Sequence, residues 1–201
     1  MKKLFFLVFF VIAIAVKTLF GQSEKESFRL SAIDISSGKG AVTSGLYGNF
    51  TFEKGDKDFL ILTLSEKDLE ITYFRSLLKG RLLIGPNVGY FFNVPYVSTM
   101  AIYSPSKYFS TLHWLGWSFG RPSKVIELKP SFIFALNSAS INIWKINTTY
   151  RLIHYLKNKP QHTVTLKYTE KITKNILVYT EVGYDLTNKT QLLKLGTRYK
   201  L

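Results

Sequence analysis

Three histidines, His113, His154 and His162, are the side chains best suited to proton transfer or metal binding in a chain that has no cysteine. None stands at metal-ligand spacing from another ligand type, and no paired carboxylate accompanies them. His113 with Ser110 or Ser118 supplies a base and a hydroxyl, two parts of an acyl-transfer nucleophile. No local signature surrounds that pair, and in a serine-rich chain such pairs arise by chance. His154 and His162 flank the turn Lys157-Asn158-Lys159-Pro160, where water is the expected partner. The reading is of a protein that is not an enzyme and that holds neither cofactor nor metal.

The abundant chemistry is electrostatic. The chain carries 27 Lys and Arg against 13 Asp and Glu, a formal net charge of +14. Eight basic residues stand where they would face an interior or its rims: Arg81, Lys129, Lys145, Arg151, Lys167, Lys194, Arg198 and Lys200. Opposing them are Glu53, Glu70, Glu127, Glu181 and Asp185. The simpler arrangement is a set of ion pairs filling a closed lumen, with the remaining lysines at turns against lipid phosphates. The sharper one is a small pore whose basic excess favours a small anionic solute, since rings of Arg or Lys select for anions. Nucleic acid is not an expected partner, because no basic cluster accompanies a binding-module motif.

The elements that would position these charges alternate with a period of two. From Trp144 the even positions Trp144, Ile146, Thr148, Tyr150 and Leu152 oppose the odd positions Lys145, Asn147, Thr149 and Arg151. The same alternation runs through 163–169, 176–186 and 193–201. Period two places one set of side chains on each face of a strand, and no helical spacing fits. Turn residues as punctuation divide the chain into twelve strands at about 27–36, 43–53, 58–65, 68–76, 81–94, 96–104, 108–119, 124–136, 140–153, 162–170, 174–186 and 191–201. The alternation slips around Ile33 and Ile35, and Pro130 cannot donate to a ladder, so eight or ten strands are the alternatives. Leu82 to Ser106 has no charged residue, yet Pro86, Pro95 and Pro105 would break a helix there. Two strands joined near Asn93-Val94-Pro95 fit better, with Pro86 at a bulge or rim. The expected fold is all-β, an antiparallel barrel in which polar residues face inward and apolar residues outward.

Residues 1–21 read as a secretory signal: Lys2 and Lys3, an apolar core from Leu4 to Val16, and small Gly21 before the cut. Cutting after Ala15 is the alternative, and it would leave a basic, still apolar segment behind. The 13 uncharged residues of the core fall short of the roughly 20 that span a bilayer. Residues 22–201 then form the barrel domain. Losing Lys2, Lys3 and Lys17 lowers the formal charge from +14 to +11. The 12 Tyr, 16 Phe and 3 Trp lie mostly in this mature part, and Trp144, Tyr150, Tyr168, Tyr184 and Tyr199 stand toward strand ends, where interfacial girdles form.

The last nine residues, Leu-Lys-Leu-Gly-Thr-Arg-Tyr-Lys-Leu, resemble the final strand of bacterial outer-membrane β-barrel proteins as a class. Tyr199 fits that pattern, and the terminal Leu201 departs from the usual aromatic. The resemblance implies a bacterial outer-membrane location, contact with membrane lipids, and recognition of the last strand by the barrel assembly machinery. It implies a structural or small-pore role. The alternative is a soluble periplasmic or secreted β-barrel or sandwich that carries a small apolar ligand in its interior. The short expected turns, ordinary for hairpins, leave little surface for capture of large partners.

Overall fold

A computed structural model describes residues 27–39, 45–65, 68–91, 94–119, 131–155 and 160–201. Its elements are β1 (Arg29–Lys39), β2 (Gly45–Lys54), β3 (Asp58–Ser65), β4 (Asp68–Leu77), β5 (Leu82–Phe91) and β6 (Val94–Ser106), followed by β7 (Phe109–Phe119), β8 (Ser131–Ile143), β9 (Ile146–Tyr155), β10 (Gln161–Lys171), β11 (Ile176–Asp185) and β12 (Thr190–Lys200). Each strand pairs antiparallel with its chain neighbours, and β12 returns to β1 to close the barrel. Closure runs from Ala32↔Lys200 to Lys39↔Leu193, and the Leu201 amide donates to the Ser31 carbonyl at 2.9 Å. A closed sheet leaves no unpaired edge, which is what a hydrocarbon environment demands of a β structure.

The faces are inverted relative to a soluble barrel. Large apolar side chains stand exposed on the outside, among them Ile71, Val88, Val97, Leu115, Leu166, Val182 and Leu195. Tyr150, Tyr168, Tyr184 and Tyr199 share that outer face and are exposed as well. Small and polar residues fill the inner face: Ser36, Thr72, Asn87, Ser118 and Thr165 are buried. Exposing so much apolar surface to water would be costly, and to lipid it costs nothing.

The points at which the strands depart from a regular pattern, or from the expected bounds, are local. β8 is described from Ser131 and runs on to Ile143, beyond the expected end at 136; residues 124–130, with Pro130, lie outside the described residues. The stretch read as one strand from 140 to 153 is two, joined by the two-residue turn Trp144-Lys145, with Ile143 paired to Ile146. Trp144 takes φ 54°, a left-handed backbone that turn sequences usually assign to Gly or Asn, so no turn signal marked it. The turn reverses the parity of the faces, and Ile143 and Ile146 both point outward. In β1 a register shift between Leu30 and Ala32 explains the slipped alternation around Ile33. Pro86, expected at a bulge or rim, lies inside β5 opposite Thr99. Its missing N–H coincides with a break in the β4–β5 ladder, which passes from Thr72↔Asn87 to Arg75↔Ile84 with no pairing between.

Odd-to-even hairpins and even-to-odd hairpins lie at opposite ends. The end that carries the start of β1 and the end of β12 has only short turns: 55–57, 78–81, 107–108, 144–145 and 172–175. Short turns on the side of the termini are the periplasmic arrangement of outer-membrane barrels.

Candidate functional site

Two different walls line the inner face. The first runs from β9 through β12 to β1. Arg151, Lys167, Glu181, Lys194, Arg198 and Asp34 all have inward parity here: Lys167 and Lys194 flank Glu181 in register, and Asp34 stands opposite Arg198. Arg151 lies between Ser138 and Thr163 on the same face. Cations and carboxylates thus alternate across neighbouring strands, yet they do not join. Among the described residues the single ion pair within 4.0 Å is Lys145 with Glu170, at 2.6 Å, and it lies elsewhere.

Aromatic rings take the place of ion pairs. The Lys167 ammonium sits 3.6 Å from the centre of the Tyr179 ring, and Lys194 sits 5.5 Å from that of Tyr47, both inside the range of a cation–π contact. The Tyr179 hydroxyl donates to Asp34 at 2.7 Å. Tyr179 can lie flat because its register partner is Gly196; a Cβ there would run into the ring. A contact with a ring face leaves most ammonium hydrogens free, since Lys carries three donors.

The second wall comprises β4 to β8. Tyr96, Trp114 and Phe134 pack edge to face, with centroids 5.1–5.8 Å apart. Each outer member of the trio again covers a glycine: Tyr96 faces Gly89 and Phe134 faces Gly116. Beside them the Trp114 indole N–H donates to Ser98 Oγ at 2.7 Å, Ser98 donates to Asn87 Oδ1 at 2.8 Å, and Asn87 Nδ2 donates to Glu70 Oε1 at 2.7 Å. Thr72 Oγ1 adds a second bond to Glu70 at 3.1 Å. Tyr96, Phe134, Asn87 and Thr72 are buried, so this wall is filled. On the opposite wall Lys167, Lys194 and Arg151 are half-buried and Arg198 is exposed.

The remaining residues singled out in the sequence fall elsewhere. Arg81 ends the exposed β4–β5 turn, where its carbonyl accepts from the Ser104 amide at 2.7 Å. Lys145, expected to face inward, occupies the β8–β9 turn and bonds Glu170 on the outer face; that carboxylate raises the lysine pKa above its ordinary value. Lys200 is exposed at the rim beside Leu201. Glu53 lies near the same rim, opposite Arg29. Asp185 is buried and engaged in its turn, accepting from the amides of Thr187 and Asn188 at 2.9 and 3.0 Å and from Gln161 Nε2. Glu127 and Lys129 lie outside the described residues. The signal expected at 1–21 lies outside them too.

Among the described residues, the Ser and His pair considered in the sequence is not brought together. His113 points outward and bonds Asn137 at 2.8 Å, whereas Ser110 and Ser118, odd-numbered steps away on the same strand, point inward. His162, expected to face water, bonds the Tyr150 hydroxyl at 2.6 Å. The described residues contain no group of three or more His, Cys, Asp or Glu able to hold a metal. Sequence reasoning missed Asp34, Tyr47, Tyr179 and the aromatic trio. The usable signal was an aromatic directly across from a glycine, which is visible only once strand register is known.

No family model matches the chain, and no curated protein matches it. Solved structures with the same fold do exist. The KdgM porin superposes with a TM-score of 0.56 at 14% identity, over 85% of this chain and 99% of that one. A KdgM porin in complex with disordered oligogalacturonate gives 0.59 at 13% identity, over the same shares. The NanC porin gives 0.55 at 11% identity, over 84% of this chain and all of the other. The fold of this chain is that of bacterial outer-membrane porins: a closed, twelve-stranded antiparallel barrel.

Proposed function

We propose that this chain is a porin-like channel of the bacterial outer membrane, exported by a signal at residues 1–21, through which small anionic solutes pass along the β9–β12/β1 wall. The observation that carries the reading is the set of inward cations, Arg151, Lys167, Lys194 and Arg198, with no carboxylate inside ion-pair distance among the described residues. An interior meant only to be filled would satisfy such charges, because an uncompensated cation away from water is expensive. Cations left with free donors are instead ready for a passing anion. Glu181 and Asp34 on the same wall moderate the field, so the preference expected is partial. The exposed apolar outer face disfavours a soluble ligand carrier, whose apolar residues would turn inward. One similar fold is bound to oligogalacturonate, which agrees with an anionic solute.

The direct test is planar-bilayer conductance of the purified mature protein. The expected result is discrete conductance with chloride favoured over potassium in a salt gradient. No conductance, or a cation preference, overturns the channel reading. Export is checked separately by mass: the mature chain should begin at Gln22.

A further inference from the structure

The terminus-side turns share a pattern that the lumen does not explain. Leu78 is followed by Lys79, Tyr108 is preceded by Lys107, Trp144 is followed by Lys145, and Ile172 is preceded by Lys171. In each pair the apolar residue is exposed, up to 84% for Trp144. The exposure is built into the backbone: Leu78 and Trp144 adopt φ of 51° and 54°, a left-handed conformation that non-glycine residues enter only at a cost. The β2–β3 turn, with Asp56 and Lys57, is the exception and offers no apolar residue.

Two of the lysines lie over their aromatic partners. Lys107 lies 4.9 Å from the Tyr108 ring centre, and Lys145 lies 5.0 Å from that of Trp144. Lys145 is already neutralised by Glu170, which leaves its role as one that steadies the indole. The hairpins on either side adjoin this one, through Asn142 N to Tyr108 O at 2.7 Å and Thr169 N to Lys145 O at 2.9 Å. Those neighbouring hairpins carry the exposed lysines Lys107, Lys171 and Lys174.

An apolar or aromatic side chain at the boundary of an outward apolar belt, beside a cation without an acidic partner, matches the chemistry of a phospholipid interface: ring against the glycerol level, ammonium against phosphate. We infer that the terminus end is a binding surface for anionic phospholipid headgroups, centred on Trp144 and the lysines Lys107, Lys171 and Lys174. The inference rests on the membrane-barrel reading and is independent of whether the lumen conducts.

The test uses the full mature protein reconstituted in phosphatidylcholine vesicles that contain phosphatidylglycerol, with either lipid brominated to quench nearby tryptophan. Trp117, on the outer face toward the opposite rim, serves as the internal reference. Brominated phosphatidylglycerol should quench Trp144 more strongly than brominated phosphatidylcholine, and Trp144→Phe should remove that difference. The triple variant Lys107→Gln, Lys171→Gln, Lys174→Gln should reduce the preference by at least about fivefold, the scale of one basic side chain at an anionic surface. Equal quenching of Trp144 by the two lipids, or a preference that survives in the triple variant, overturns this inference alone. Absence of quenching at both tryptophans by either lipid overturns the membrane reading and the inference with it.

Discussion

The two walls of the lumen are built on one lattice and do different things with it. On the β4–β8 wall aromatic rings seal against one another and against glycines, and the polar groups between them are consumed in a continuous hydrogen-bond chain from Trp114 to Glu70. On the β9–β12/β1 wall a ring also lies over a glycine, Tyr179 over Gly196, but there it serves as the seat for a cation. The same device, an aromatic laid flat where a neighbour lacks Cβ, gives packing on one side and exposed charge on the other. What differs is the surroundings of the ring: other rings for Tyr96 and Phe134, lysine and a carboxylate for Tyr179.

Breaking the filled wall should have the largest effect. Trp114→Ala removes the centre of the trio and leaves Ser98 without its indole donor; a loss of about 3 kcal/mol is expected, on the scale of a large aromatic truncated to alanine. Urea unfolding in detergent measures it. Conductance of the surviving protein should rise while its anion preference holds, because the charged wall is untouched. If anion preference collapses together with stability, the two walls are not separable.

The charged wall should respond in the opposite way. Lys194→Gln with Arg198→Gln should leave folding within about 1 kcal/mol, since neither cation has an ion pair to lose among the described residues, and should lower the anion preference in reversal-potential measurements. Unchanged selectivity would remove the wall from the permeation path. The smallest effect is expected from Glu70→Gln. Its amide oxygen can still accept from Asn87 and Thr72, so a cost of about 1 kcal/mol, one hydrogen bond's worth, and nearly unchanged selectivity should follow. A large gain in anion preference would show that Glu70 reaches the path, and would blur the distinction between the walls.

Much of this barrel was legible before any coordinates. That the chain is built of strands, and which side chains share a face, follows from period-two alternation at Val164, Leu166 and Tyr168 or Val178, Thr180 and Val182; closure and the outward direction of the apolar face do not, because a soluble sheet alternates in the same way. The break expected between 136 and 140 was misplaced, since the chain turns instead at Trp144-Lys145, without a glycine, asparagine or proline. Parity also identified Arg151, Lys167, Lys194 and Arg198 as inward. It could not say that Lys145 would leave the lumen for Glu170, because residues in a turn obey no face rule.

The sequence by itself determined which side chains share a face, since that depends only on neighbours two residues apart along one strand. Register across strands, by contrast, joins residues tens of positions apart: Gly196 to Tyr179, Gly116 to Phe134, Asp34 to Arg198. Only the closed barrel decided those pairings, and with them which cations keep free donors, because whether an ammonium meets a carboxylate or the face of a ring is a matter of a few ångströms in three dimensions.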